Sequence, residues 1–342
     1  MIFSLVWLSK IFIFSETISS SINKEILNKQ IPILNHKIDE SVHFNFSSEK
    51  YNVNCELIFK NDKNETKRGE NLLIKYKKKL LKDSQFIFTN HMCPRFRKIR
   101  GYDDHPVSEE EINFPIAYSI LTYFNTEQFE RLLRVIYRSH NIYCIHIDLK
   151  SSKEFYDSIN SIANCFDNVF ITSKLENIVY AGFSRLQADL NCMSDLLDLK
   201  YIKLNPTKKV VNWKYLFNLA STEFPLKTNH EIVKILKILN GANDIEVLKN
   251  VIKSRISFKW TVNNGSLVKT GIKKDTNPPH NFTLTKGLAY AIFNNKFVDY
   301  IINNQYSKDL LKYLEDTFSP DETFWATLQH NTQFFPPGGY KG

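Results

Sequence analysis

The hydrophobic pattern of the chain changes character at Phe114. From Ile116 to Phe124 it reads IAYSILTYF, a near-continuous apolar run rich in β-branched and aromatic residues, as a strand buried on both faces requires. Phe129, Leu132, Leu133 and Ile136 then recur at the spacing of one helix face. The next run, IYCIHID over Ile142–Asp148, is again strand-like and ends in an acid. A helical stretch from Lys153 to Ala163 leads to a short strand over Asn168–Thr172 and a long helix over Phe183–Leu199. The strand WKYLFNLAS, Trp213–Ser221, follows, and Thr228 with Glu231 makes a capping box for a helix through Leu239.

Four strand–helix units in a row predict an α/β fold with a mostly parallel sheet and helices on both faces. Ligands of such sheets bind outside the carboxyl ends of the strands. Leu121, Thr122 and Tyr123, at the end of the first strand, and Asp148, at the end of the second, therefore fall on the binding edge. Asp148 suits the N-cap of the segment after it equally well. Residues 241–279, rich in Asn and Lys and containing Trp260, read as a loop-rich insertion facing that edge. Residues 286–303 return to a strand followed by a helix, and residues 334–342, FFPPGGYKG, are turn chemistry.

Composition adds a frame. The 342 residues are 43% hydrophobic and 24% charged, typical of a globular chain. A formal charge of +9 suggests an anionic ligand or surface, but no aromatic-interleaved basic stripe argues for nucleic acid. The cluster Lys75–Lys82 reads as the solvated face of a short helix built on Leu72, Leu73, Tyr76, Leu80 and Leu81. An apolar run, Ile2–Phe14, is short of the roughly 20 residues a membrane span needs and fits a signal or anchor segment over residues 1–20. Residues 21–110 are polar and read as a stem, leaving 111–342 as the folded domain. Sequons at Asn45, Asn64, Asn264 and Asn281 agree with the secretory path. Five cysteines without C-x-x-C spacing argue for disulfides over zinc, with one thiol unaccounted for. Phosphate-cradling Gly-rich loops are absent, and so is an Asp-x-Asp pair that would hold a diphosphate through a divalent metal.

The candidate chemistry lies at Asp316–Leu328, DTFSPDETFWATL. Asp321 and Glu322 follow Ser319-Pro320, which reads as an N-cap and a first helical position, so both acids fall in a first helical turn. A carboxylate beside Phe318, Phe324 and Trp325 could have its pKa raised and serve as a general base. Capping the helix is the alternative role for both acids.

Seven ordered segments carry a resemblance: FPIAYSI (114–120), YCIHID (143–148), CFDNVF (165–170), ADLNCM (188–193), WKYL.NL (213–219), FPLKTN.EIV (224–233) and SPDE..WATL (319–328). On these the chain resembles the core 2/I-branching β-1,6-N-acetylglucosaminyltransferases, glycosyltransferase family 14, which also includes the more distant protein O-xylosyltransferases. The resemblance implies a GT-A-like fold and an inverting, metal-independent transfer of N-acetylglucosamine from UDP-N-acetylglucosamine to a glycan acceptor, with no cofactor. It implies a Golgi membrane protein with a lumenal catalytic domain, membrane-bound through the N-terminal segment, or secreted if that segment is cleaved. A xylosyltransferase-like enzyme and a non-catalytic sugar-nucleotide or glycan-binding protein are the alternatives.

Residue by residue, the resemblance makes Glu322 the base. It places Leu121, Thr122, Tyr123, Asp148, Leu149, Lys150 and Tyr180 at the UDP-sugar, although the family has a basic residue where Leu149 stands. It places Glu246 at the acceptor, with Lys253 and Arg255 at altered spacing. It pairs Cys144 with Cys192 and Cys93 with Cys165, leaving Cys55 without its partner. The family's C-terminal part, with an aromatic acceptor contact and a basic pair facing the UDP leaving group, is expected to be missing after Gly342.

Overall fold

A computed structural model describes residues 12–14, 53–75, 81–198, 210–248, 253–274 and 277–339. Its centre is a five-stranded sheet. In chain order the strands of the protein are β1 (Phe12–Phe14), β2 (Ile116–Thr122), β3 (Ile142–Ile147), β4 (Val169–Ile171), β5 (Tyr215–Ala220), β6 (Glu223–Pro225), β7 (Phe258–Asn263), β8 (Ser266–Lys273) and β9 (Ile292–Asn294). The central sheet has the order β4-β3-β2-β5-β9. The first four run parallel, and β9 joins antiparallel beside β5. Every residue of β2 and β3 is buried, as their unbroken apolar runs require.

Two cores result, one on each face. Ile116, Tyr118 and Ile120 of β2 pack with the helices Thr126–Ile136, Lys153–Ala163 and Asn229–Leu239. Ala117 and the alternate residues of the other strands pack with Phe183–Leu197, Asn295–Asn303, Gln305–Leu314 and Asp321–His330. The first core also takes in Phe86, Cys93, Phe96 and Tyr102. This mixed, mostly parallel sheet between helical layers is a GT-A-like α/β architecture.

The expected helices over Lys153–Ala163 and up to Leu239 are present, the second opened by the Thr228–Glu231 capping box. Two expectations need correction. The Asn- and Lys-rich region is not loop throughout: it holds the short helix Lys253–Ile256 and the hairpin β7–β8, turned at Asn264-Gly265, both with positive φ. The strand after Lys286 begins only at Ile292; before it, Lys286 makes an isolated antiparallel bridge with Leu248, and Gly287 N–H donates to the Glu322 carbonyl. The basic run Lys75–Lys82 lies mostly outside the described residues, although the helix Lys63–Lys75 leads into it. β1, within the apolar N-terminal run, pairs antiparallel with β6.

Candidate active site

The carboxyl ends of β2, β3 and β5 converge on one edge and are tied there. Asp148 N–H donates to the Thr122 carbonyl at 3.0 Å and Ser221 N–H to the Leu121 carbonyl at 2.9 Å. The Thr122 hydroxyl donates to Ser221 Oγ at 2.9 Å. Asp148 does not cap the next helix, whose N-cap is Ser152. Its Oδ1 instead accepts from Lys150 N–H at 3.0 Å and Ile178 N–H at 3.3 Å, and its Oδ2 lies 3.4 Å from Lys150 Nζ. Lys150 Nζ also donates to the Ile178 carbonyl. The segment 176–179 is thereby stitched to the end of β3, which leaves Tyr180 90% exposed beside it, with Tyr123 and Leu149 also exposed. An aromatic left in water next to a built polar edge is available to stack on a ligand ring.

From Tyr180 the edge continues to the acidic stretch. Ser319 N–H donates to the Ala181 carbonyl at 2.8 Å, and both residues have positive φ, 45° and 58°. Left-handed backbone at two non-glycine residues costs on the order of 1–3 kcal/mol each and persists where surrounding structure enforces it. Ser319 therefore does not cap the helix. Pro320 occupies the N-cap position and the helix starts at Asp321. Gly287 N–H donates to the Glu322 carbonyl at 2.7 Å, and a Cβ at Gly287 would overlap the Glu246 carbonyl oxygen. Glycine is what allows the segment around Glu246 to lie against the helix start. Glu246 and Glu322 are brought together in this way.

The environment of Glu322 differs from the expected aromatic one. Phe324 and Trp325 are fully buried in the second core, where Trp325 packs on Phe293. Glu322 Oε2 accepts from Arg255 Nη1 at 2.5 Å and lies 3.1 Å from Lys286 Nζ. Partial burial pushes the Glu322 carboxyl up, but the hydrogen bonds and charges of Arg255 and Lys286 outweigh it and leave it below the usual glutamate range. Lys286 carried no sequence signal, since a lone lysine before a glycine has no periodicity. Lys253 is exposed at the start of its short helix, where its carbonyl accepts from Ser257 N–H. Of the two, Arg255, not Lys253, is in contact with Glu322.

Beside Glu322 lies a buried polar node. Arg185 Nη1 donates to Asp189 Oδ2 at 2.5 Å, and Asp189 also accepts from Ser119 Oγ and Asn218 Nδ2, each at 3.1 Å. Asp321 Oδ1 accepts from Glu322 N–H at 3.0 Å. Burial pushes the Asp321 carboxyl up, opposed by the Arg185 charge. Glu223, the first residue of β6, accepts from Ala220 N–H at 2.8 Å, and burial pushes its carboxyl up to about 7. A folded-state value above the ordinary 4.5 means folding favours the protonated acid. That contribution is present below about pH 4.5 and is lost as the pH rises through about 7. Glu223→Gln keeps an acceptor for Ala220 and is expected to stabilise the protein by about 1–3 kcal/mol at about pH 8. It should also flatten the fall in urea-unfolding midpoint between about pH 5 and 7, a slope that would persist if Glu223 were not its source.

Cys93 and Cys165 form a disulfide. Cys144 and Cys192, buried on β3 and the facing helix, bring their sulfurs to 2.6 Å of each other, inside nonbonded contact and in the juxtaposition that the expected bridge needs. The side chain of Cys55 lies outside the described residues. Among the described residues, no group of three or more His, Cys, Asp or Glu is placed to hold a metal ion.

Residues 116–338, which contain all the strand ends and both halves of this site, match the family described as Core-2/I-Branching enzyme. The chain is 39% identical over 285 residues to beta-1,3-galactosyl-O-glycosyl-glycoprotein beta-1,6-N-acetylglucosaminyltransferase 3 of Rattus norvegicus, and 40% identical over 284 residues to its Homo sapiens counterpart. Each match covers 82% of this chain and 62% of the relative. A Danio rerio protein named as number 4 of the same series is 41% identical over 285 residues, covering 81% of this chain and 64% of the relative. The chain thus spans less than two thirds of the length of these relatives. Matched across its sheet and its polar edge alike, it belongs to the core-2/I-branching enzyme family.

Proposed function

We propose that this protein transfers N-acetylglucosamine from UDP-N-acetylglucosamine to a hydroxyl of an O-glycan acceptor in β-1,6 linkage, with inversion and without a metal ion, in the Golgi lumen. The observation that carries the reading is the placement of Glu322. Its carboxylate sits between two cations on the edge that Asp148, Tyr180 and the β2 end also form, with Glu246 against the same Gly287. In the proposed step, Glu322 takes the proton of the acceptor hydroxyl as that oxygen bonds to the anomeric carbon and the bond to the diphosphate breaks. The leaving diphosphate then needs positive charge held in place by protein groups. Leu121, Thr122, Tyr123, Asp148, Leu149, Lys150 and Tyr180 would hold the donor. Glu246, Arg255 and Lys253 would hold the acceptor.

The test is transfer by the native full-length protein from UDP-N-acetylglucosamine to a β-1,3-galactosyl O-glycan, with and without chelator. A product whose new linkage is β-1,6 by NMR, formed at the same rate in chelator, is expected. Absence of product, a different linkage, or loss of turnover in chelator would each overturn the reading.

A further inference from the structure

The segment from Lys253 to Lys274 holds six basic residues, Lys253, Arg255, Lys259, Lys269, Lys273 and Lys274, and no acid. It forms the short helix Lys253–Ile256 and the β7–β8 hairpin, most of whose residues are exposed. The hairpin is rooted on the body by Trp260 N–H donating to the Asp316 carbonyl at 2.9 Å and by the Trp260 ring packing on Phe318 at 4.9 Å. Asp316 takes up two of the cations, pairing with Lys274 and, at 3.7 Å, with Lys259, while Arg255 pairs with Glu322. Lys269 and Lys273 form no ion pair among the described residues.

Their placement is ordered. In the hairpin register Trp260 is paired with Lys269 and Phe258 with Lys273, with a bulge in β8 between the two pairs, so two aromatics and two lysines are cross-strand neighbours on the ribbon. Lys269 Nζ lies 3.6 Å from the centre of the Phe258 ring. This strip continues from the candidate base without a gap. Arg255, bonded to Glu322, lies 5.2 Å over the Phe318 ring, Phe318 packs on Trp260, and Trp260 neighbours Lys269. Aromatic faces suit the apolar faces of sugar rings, and clustered lysines suit an anion.

We infer that this strip is an extended acceptor subsite for a glycan bearing an acidic group, carboxylate or sulfate, one or more sugars from the hydroxyl that meets Glu322. What reaches Glu322 rests on the proposed transfer, whereas anion binding by the hairpin stands apart from it. Binding is therefore measured without donor. The probes are a neutral β-1,3-galactosyl O-glycan, its sulfated form and its sialylated form, titrated into the full chain by calorimetry at low and high salt.

At low salt at least one charged probe should bind about tenfold or more tighter than the neutral one, and the advantage should shrink with salt. In both K269E/K273E and K269Q/K273Q that preference should fall to near one, with circular dichroism reporting the fold. A preference for the sulfated probe alone would make sulfate the ligand, and for the sialylated probe alone, carboxylate. Equal affinity for neutral and charged probes in the unsubstituted protein, an unchanged preference in the folded variants, or displacement of the charged probe by UDP would overturn the inference. Loss of transfer in Glu322→Gln with the preference intact would separate this subsite from the transfer step.

Discussion

Glu322→Gln is expected to lower transfer by about 10³-fold or more while UDP affinity changes little, because the amide keeps an acceptor oxygen for Arg255 and Lys286 but cannot take a proton. Measured as kcat/KM with a β-1,3-galactosyl acceptor beside UDP titration of the same protein, near-normal turnover would remove Glu322 from the reaction. The geometry adds a condition. A carboxylate held below its usual range by two cations is ionised across neutral pH but weakly basic, so its basicity must be restored when the acceptor enters between it and those cations. Lys286→Gln removes one cation, and the acid limb of the pH–kcat/KM profile should move upward.

The sequence-legible part of this site is the part built by local rules. The strand ends at Thr122 and Asp148 followed from apolar runs, the Thr228–Glu231 box from residue types at fixed spacing, and the helix Lys153–Ala163 from periodicity. What was not legible came from long-range contacts. Ser319-Pro320 has the residue types of a helix entry, but Ser319 is drawn into left-handed backbone by its bond to Ala181. Phe324 and Trp325 flank Glu322 in sequence, yet the helix turns them into the core, and the carboxylate meets Arg255 and Lys286 from other segments. Tyr180 had no periodic signal because it is fully displayed on a loop, and only the family resemblance marked it. Cys144 and Cys192 show the same limit from the other side: spacing did not pair them, resemblance named the pair, and the fold brings their sulfurs together.

Arg185→Met is expected to destabilise the protein by about 3–5 kcal/mol at about pH 7.5, since it removes the cation from among buried acids and leaves their charge uncompensated. Asp189 is fully buried and Asp321 nearly so, and the Arg185 guanidinium also lies 5.2 Å over the Tyr290 ring. Burial tends to lower the pKa of Arg185, and the surrounding acids more than reverse that, so the guanidinium stays charged among them. The sign of the pH dependence follows from Asp321. Its carboxyl is already pushed up by burial with Arg185 present, and without that charge it would rise further. The protonated acid is then the form compatible with folding, so the deficit should be largest above the folded-state value and shrink as the pH falls towards the ordinary aspartate range. Urea unfolding at about pH 7.5 and about pH 4.5 separates this from simple loss of packing, which would cost the same at both. Asp321 also accepts the Glu322 N–H, so the variant should misplace the proposed base: its transfer rate should fall even at temperatures where circular dichroism shows it folded, whereas a purely structural Arg185 would leave kcat of the folded fraction unchanged.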